Sequence, residues 1–403
     1  MPSPLARLNA ILLAAVLAAH PALSAGQKTE TTSGTGLAPT TVVTPLRDAS
    51  TPPTATPDGK VAPAAKPAGE AKSREPIPVG PAPHLALILP LASPALGSVA
   101  DAVRQGVLAA AEVAGKGALP VRVYATTDDG PAALAACQKA QKEGAVMVVA
   151  GLTRDGATAL SRSDCPRQPT LALNEPQDPD LPLRMYAISL AIEQEARQAA
   201  LMAVADGWLA AIVIASPSPL ARRAQEAFER EWGRAAGELR RLAFSGNPDD
   251  APALKERISA LKGDMVFLAL DQGATRAVRP YISGSLPVYA TSLGIDPRAE
   301  TAVNVDLEGV RYADMPWFVQ PDHPAVMVYP APRNPMAIEQ ERLYAFGIDA
   351  YRICAVLLQA DAREFTLDGV TGRITLDAGR HFARTLVPAE LDAGRAIPLA
   401  PAR

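Results

Sequence analysis

HLALILPLASPALGSVADAVRQGVLAAAEVA, residues 84–114, opens on an unbroken apolar run, passes through a short loop, and then places Val99, Val103 and Val107 at four-residue steps. A run without polar alternation suits a strand buried on both faces, as in parallel sheets. The stripe of valines, with Asp101, Arg104 and Gln105 between them, suits an amphipathic helix. The pattern predicts a strand at 85–90, a loop at 91–97 and a helix at 98–114. It then repeats, with a strand at 121–125, a helix at 131–142 and the strand VMVVA at 146–150. Ser98 is placed to cap the first helix, Pro131 sits in the first turn of the second, and Gly144 can end it. Two such units in series predict half of a doubly wound α/β sheet, with the loops at 91–97 and 151–156 on its binding edge.

Working outward, residues 170–173 form a fourth strand ending at Asn174, and 185–190 a fifth that leaves the first lobe. A second alternating series follows, with strands at 211–215, 239–244, 265–270 and 287–290 between helices at 192–205, 221–236, 251–261 and 273–281. Late in the chain a helix at 339–359 keeps Leu343, Phe346, Ala350 and Ile353 on one face, and a β-like stretch covers 365–387. A helix so late implies that the chain returns to the first lobe. The expected fold class is therefore α/β, two-lobed, each lobe a doubly wound, mainly parallel sheet, with a cleft between them. This architecture resembles that of type I periplasmic binding proteins. The expected division is a first lobe of about 84–190 plus 325–362 and a second of about 191–324 plus the C-terminal β segment. A tail at 392–403 follows.

The chain has 403 residues, 39 Lys+Arg against 42 Asp+Glu, and a formal net charge of -3. Nothing in that balance offers a basic face to nucleic acid. Residues 1–25 carry the parts of an export signal: Arg7, an apolar core at 11–19, and small residues before Gly26. The apolar core is too short to span a bilayer, so no transmembrane helix is expected. Leu23-Ser24-Ala25 is followed by Gly26 and not by a cysteine, so a lipid anchor is not expected either, although an outer-membrane association is the alternative. Residues 26–83 are rich in Pro, Ala and Thr without hydrophobic periodicity, the composition of a disordered linker. A periplasmic location follows from the signal.

Six stretches carry a resemblance to a known family. They are HLALILPLASP (84–94), PTLALN (169–174), LPVYATS (286–292), DLEGVRYADMPWF (306–318), ERLYAFGIDAYRI (341–353) and the triplet TGR (371–373). Together, and in this order, they resemble the C-terminal domain of the penicillin-binding-protein activators, the LpoA/LppC lipoprotein family, over about residues 84–391. The resemblance implies a non-enzymatic periplasmic regulator. Its partner would be a class A penicillin-binding protein, the synthase whose peptidoglycan cross-linking it stimulates. The alternative is a periplasmic receptor for an amino acid or a related small molecule.

Direct chemistry finds little support. Of four histidines, His20 falls in the signal and His84 at the linker junction, while His323 and His381 read as surface loop residues. None sits in a cluster of metal-ligand spacing, and no cofactor or metal is expected. Ser259-Ala260-Leu261-Lys262 matches Ser-x-x-Lys, but it lies near the end of a helix and lacks its companion motifs in order. The remaining candidate is the cleft, where strand-end loops carry Ser93, Thr153, Asn174, Ser216, Asp271 and Ser292. Such residues can hold a small solute, or they can simply cap helices and complete turns. Trp317 and Phe318 are either a partner anchor or hinge packing, and Trp208 and Trp232 read as helix-face packing. Cys137 and Cys165 can meet at one sheet edge as a disulfide, or remain unbridged. Cys354 is expected on the buried side of the long helix.

Overall fold

Sequence runs of opposite period alternate along the chain, and the computed structural model turns them into strands and helices as their patterning requires. It describes residues 82–235, 237–359 and 365–400; the expected signal peptide and all but the end of the linker lie outside them. The first series comprises β1 (His84–Leu89), α1 (Gly97–Ala114), β2 (Val121–Ala125), α2 (Gly130–Lys142), β3 (Ala145–Ala150), α3 (Arg154–Ser161), β4 (Thr170–Ala172) and β5 (Met185–Ile188). All six residues of β1 are buried, as expected of a central strand covered on both faces. Ser98 does not cap α1. The helix starts one residue earlier, at Gly97, and the Leu96 N–H is taken by Ser93 Oγ at 3.2 Å.

The second series comprises α4 (Ile192–Ala205), β6 (Ala210–Ala215), α5 (Pro219–Ala235), β7 (Glu238–Ala243), α6 (Leu254–Ala260), β8 (Met265–Ala269), α7 (Gln272–Val278), β9 (Val288–Ala290), α8 (Thr301–Asn304) and β10 (Val310–Asp314). The chain then returns through α9 (Pro316–Val319) and α10 (Pro324–Met327) to the long α11 (Ile338–Gln359). It ends in β11 (Thr366–Gly369), β12 (Gly372–Leu376), β13 (His381–Thr385), β14 (Val387–Asp392) and β15 (Arg395–Pro398).

The strands form two sheets of order β11-β12-β13-β5-β4-β3-β1-β2 and β15-β14-β10-β9-β8-β6-β7. In each lobe the first strand, β1 or β6, lies between the second and third and pairs parallel with both. The winding therefore reverses beside β1 and beside β6, which opens a crevice at the carboxyl ends of those strands.

The C-terminal β segment does not join the second sheet as a whole. Thr366–Thr385 extends the first, with β13 running parallel to β5 (His381↔Ala187, Phe382↔Ile188). The reason is local: α11 delivers the chain to the first lobe, where the outer edge of β5 would otherwise stand unpaired. Phe382 and Ile374 are fully buried there, and Phe382 meets Phe365 edge-on with centroids 4.9 Å apart. Only β14 and β15 reach the second sheet, β14 antiparallel to β10 and β15 antiparallel to β14. Residues 395–398, expected as part of a tail, are thus an edge strand.

Helix α11 crosses α1 at very short range. A Cβ on Gly106 would overlap the Tyr344 carbonyl oxygen, and one on Gly347 would overlap that of Val103. Glycine is needed at both positions because backbone meets backbone there. In the second lobe the core is aromatic: Phe228 stacks on Phe267 at 4.0 Å and on Trp232 at 5.6 Å. Cys137 and Cys165 are joined by a disulfide that ties α2 to the segment before β4, and Cys354 is buried and free. Among the described residues no helix is long and apolar enough to cross a membrane.

Candidate functional site: the cleft and the hinge beneath it

Three segments connect the lobes: residues 189–191 between β5 and α4, residues 315–337 between β10 and α11, and Leu386 between β13 and β14. Each is held by buried or half-buried polar groups. At the first crossing, Arg384 on β13 donates from Nε to the Ser189 carbonyl (3.1 Å) and from Nη1 to that of Thr371 (3.1 Å). At the second, Asp314 ends β10 and receives a two-pronged ion pair from Arg342 on α11, one prong at 2.9 Å. The Asp314 side chain is 1% exposed and that of Arg342 11%. At the third, Gln198 on α4 satisfies both backbone groups of Leu386, donating to its carbonyl at 2.7 Å and accepting its N–H at 3.0 Å.

Two further carboxylates complete this layer. Glu195 on α4 is buried and accepts the Ser292 N–H at 3.0 Å. Burial pushes its pKa up, against the pull of Arg342 and Arg384. Asp349 on α11 is fully buried; it accepts the Val370 N–H (3.1 Å) and both the N–H and hydroxyl of Thr371 (2.7 Å each), and pairs with Arg352 at 3.0 Å. Four of the six stretches quoted above for their resemblance meet here. DLEGVRYADMPWF joins ERLYAFGIDAYRI through Asp314 and Arg342, the latter joins TGR through Asp349 and Thr371, and LPVYATS touches α4 through Ser292.

Trp317 and Phe318 belong to the same layer. Both are buried; Trp317 donates from Nε1 to Glu341 at 2.9 Å and from its backbone to Val370 at 3.0 Å. The Phe318 ring lies between the guanidinium groups of Arg298 and Arg342, at 5.4 and 4.8 Å from its centroid. These aromatics pack the hinge and leave no open face for a partner.

Above the hinge a cavity of about 640 Å³ opens between the lobes. Its apolar wall includes Val99, Leu343 and Phe346 of α1 and α11. Arg154 at the start of α3 faces in from the first lobe, and Arg197 of α4 with Arg223 and Arg230 of α5 from the second. Two carboxylates line it as well, and both are engaged by this protein's own groups. Glu193 is forked by Arg223 at 2.7 and 3.0 Å. Glu175 receives His381 Nδ1 at 2.7 Å, while His381 Nε2 meets the Pro179 carbonyl at 2.8 Å. His381 is thus a paired strand residue and not a surface loop histidine.

The structure scatters the six strand-end residues expected in the cleft. Asn174 alone lines the cavity, where it braces two loops by donating to the Leu152 carbonyl at 3.0 Å and accepting the Glu175 N–H at 2.9 Å. Ser93 holds the turn before α1. Thr153 caps α3 through the Gly156 N–H (3.0 Å), and Asp271 caps α7 through that of Ala274 (2.9 Å). Ser292 is turned into the hinge, and Ser216 Oγ is buried with no partner among the described residues. Capping and turn closure account for most of them.

A sequence model of the family described as "LppC putative lipoprotein" matches residues 78–263 and 257–394. The chain belongs to the LppC family. A curated relative from Photobacterium profundum, named penicillin-binding protein activator LpoA, is 26% identical over 331 residues, covering 73% of this chain and 53% of its own length. The chain spans about half the length of the curated relatives it matches. Among solved structures, the LpoA C-domain from Haemophilus influenzae, described as a regulator of PBP1A, superposes with a TM-score of 0.64 at 19% identity. The match covers 79% of this chain and all 100% of that one. A protein from Chromobacterium violaceum, described as a "putative branched-chain amino acid ABC transporter", reaches a TM-score of 0.66 at 33% identity, over 76% of this chain and 99% of that one. Within the LppC fold, then, one scaffold carries both kinds of description.

Sequence reasoning passed over the charged members of the LppC hinge, although a signal was present. On α11, Arg342, Phe346, Asp349 and Ile353 recur at steps of four, three and four, so two charges sit on an apolar stripe. A charge on such a stripe is either an error in the helix or half of a buried pair. The cleft arginines carried no comparable signal.

Proposed function

We propose that this chain is a non-enzymatic periplasmic regulator that binds a class A penicillin-binding protein and stimulates its synthesis of cross-linked peptidoglycan. The observation that carries the reading is the family match across residues 78–394, together with relatives named as activators and a solved C-domain described as a regulator. The matched region coincides with the two-lobed body. The hydroxyl of Ser259 is consistent with a non-catalytic role: it donates back to the Lys255 carbonyl at 2.9 Å within its own helix. Export by residues 1–25, and residues 26–83 as a spacer, belong to the same proposal. Purified protein added to the class A synthase of the same cell, in an assay that follows glycan polymerisation and peptide cross-linking together, should raise the cross-linked fraction. Neither binding nor a change in either rate, with every class A synthase of that cell, would remove the activator reading.

A further inference from the structure

We propose that the interlobe cavity is a binding site for a small dianion, two carboxylate-like groups joined by an apolar spacer. The argument is one of charge accounting. Of four guanidinium groups in the cavity, Arg223 is committed to Glu193. The other lining carboxylate, Glu175, is matched by His381. Arg154, Arg197 and Arg230 have no side-chain hydrogen bond or ion pair among the described residues, although Arg154 helps Arg223 to hold the Glu193 pKa down; the lining therefore carries more positive charge than the described residues pair. Guanidinium groups recognise carboxylates through paired N–H donors, and several of them in one concave site raise the local concentration of anions. Surface arginines often stand alone. These three, with Arg154 and Arg230 exposed and Arg197 half-buried, converge on one half-open cleft of about 640 Å³, within the size range of small-molecule sites.

The shape of the lining narrows the class. Arg154 comes from one lobe, Arg197 and Arg230 from the other, and Val99, Leu343 and Phe346 form an apolar wall between them. A ligand that meets guanidinium groups on both lobes needs two anionic ends, and one that covers the wall needs hydrocarbon between them. Gln194 adds a buried Oε1 with no partner among the described residues, a place for a ligand hydroxyl or N–H. Because the two ends draw on opposite lobes, binding favours approach of the lobes over the hinge. This inference does not depend on the activator reading.

Isothermal titration of the full chain at low ionic strength with succinate, adipate and suberate tests it, with butyrate, hexanoate, octanoate, leucine and inorganic phosphate as comparisons. At least one dicarboxylate should bind about tenfold or more tighter than its monocarboxylate counterpart, than leucine and than phosphate. The affinity should fall as salt is added. The double variant Arg197→Gln/Arg230→Gln should lose about tenfold or more, while Arg104→Gln, which removes an arginine already paired with Asp101 outside the cavity, should bind as the parent does. Circular dichroism establishes that both variants are folded before titration. No dicarboxylate binding, equal binding by the monocarboxylates, leucine or phosphate, or full retention by the double variant would each overturn the proposal.

Discussion

On α4, Glu193 and Glu195 are two residues apart and occupy opposite surroundings. Glu193 faces the cavity, where burial pushes its pKa up but the Arg223 fork, its own backbone N–H and Arg154 together hold it below the ordinary value. Glu195 points down into the hinge, where burial dominates and pushes its pKa up. The contrast extends to the two regions. In the hinge, Asp314, Asp349 and Arg384 are buried and the Arg342 side chain is 11% exposed; among their side-chain atoms only Arg384 Nη2 is left unpaired in the described residues, and each of the four has hydrogen-bonding partners. In the cleft, three arginines line an open space without any. Buried ionic groups are expensive to leave unpaired and fix geometry when paired. Solvated, uncompensated groups contribute little to folding and remain available to a ligand. The difference separates a region whose charges hold two lobes in register from one whose charges stay exposed to solvent.

The sharpest way to break this division is Arg342→Ala. It leaves Asp314 buried beside Phe318 without its partner, and loss of one member of a buried pair costs about 3–5 kcal/mol. Chemical denaturation should show a fall of that size. The double variant Arg342→Met/Asp314→Leu removes both charges and should recover most of the loss. A fall below about 1 kcal/mol for Arg342→Ala would mean that the pair is solvated, and the hinge would then resemble the cleft.

Next in size is Gln198→Ala. Its amide is the partner of both backbone groups of Leu386, and the alanine variant strands a donor and an acceptor at the third crossing. Leaving buried polar groups unpaired costs about 1–3 kcal/mol. Hydrogen exchange should speed at Leu386 and along β14 more than in β1, because the effect is confined to one connection. Uniform acceleration throughout the chain would instead assign Gln198 to the general core.

These hinge residues also show how far the sequence could be read. The sheets were legible because a strand buried on both faces has a pattern that a helix does not share, and β1, β3, β6 and β8 all show it. The C-terminal strands were detectable as strands but carried no mark of which sheet they would join. That choice depended on where α11 left the chain and on the free edge of β5. Ser93, Thr153 and Asp271 do lie at strand ends as expected, but they cap helices and close turns away from the cavity, and side chains that cap a helix and side chains that hold a ligand have the same identity. Only the coordinates show which N–H each one accepts. Arg154, Arg197 and Arg230 were silent for a related reason: an arginine that faces a cavity and one that faces bulk water have the same neighbours along the chain.

A smaller effect, at the boundary of the two regions, is the pH response of His381. Burial by itself would lower its pKa, but the Pro179 carbonyl and the Glu175 carboxylate outweigh that and raise it above the ordinary 6.5. The folded protein therefore holds this proton more tightly than the unfolded chain does. The stabilisation is complete below pH 6.5 and is lost as pH rises through the folded-state value. The pair is part-exposed, so the contribution is below about 1 kcal/mol after screening. His381→Asn should flatten the stability curve above pH 6.5 and leave Arg342→Ala as costly as before. A steeper curve in the variant would reverse the assignment.

The smallest expected change is also the one that defines the cleft. Arg197→Gln and Arg230→Gln, singly or together, remove guanidinium groups that have no partner among the described residues. Their effect on unfolding free energy should stay within about 0.5 kcal/mol, and it can be positive because two like charges are withdrawn from one cavity. Thermal unfolding at low and high salt separates the two contributions, since relief of repulsion fades as salt rises. If either substitution costs as much as Gln198→Ala, those arginines are part of the scaffold. The cavity would then be a gap in the packing of two lobes, and its positive charge would belong to the same structural layer as Arg342.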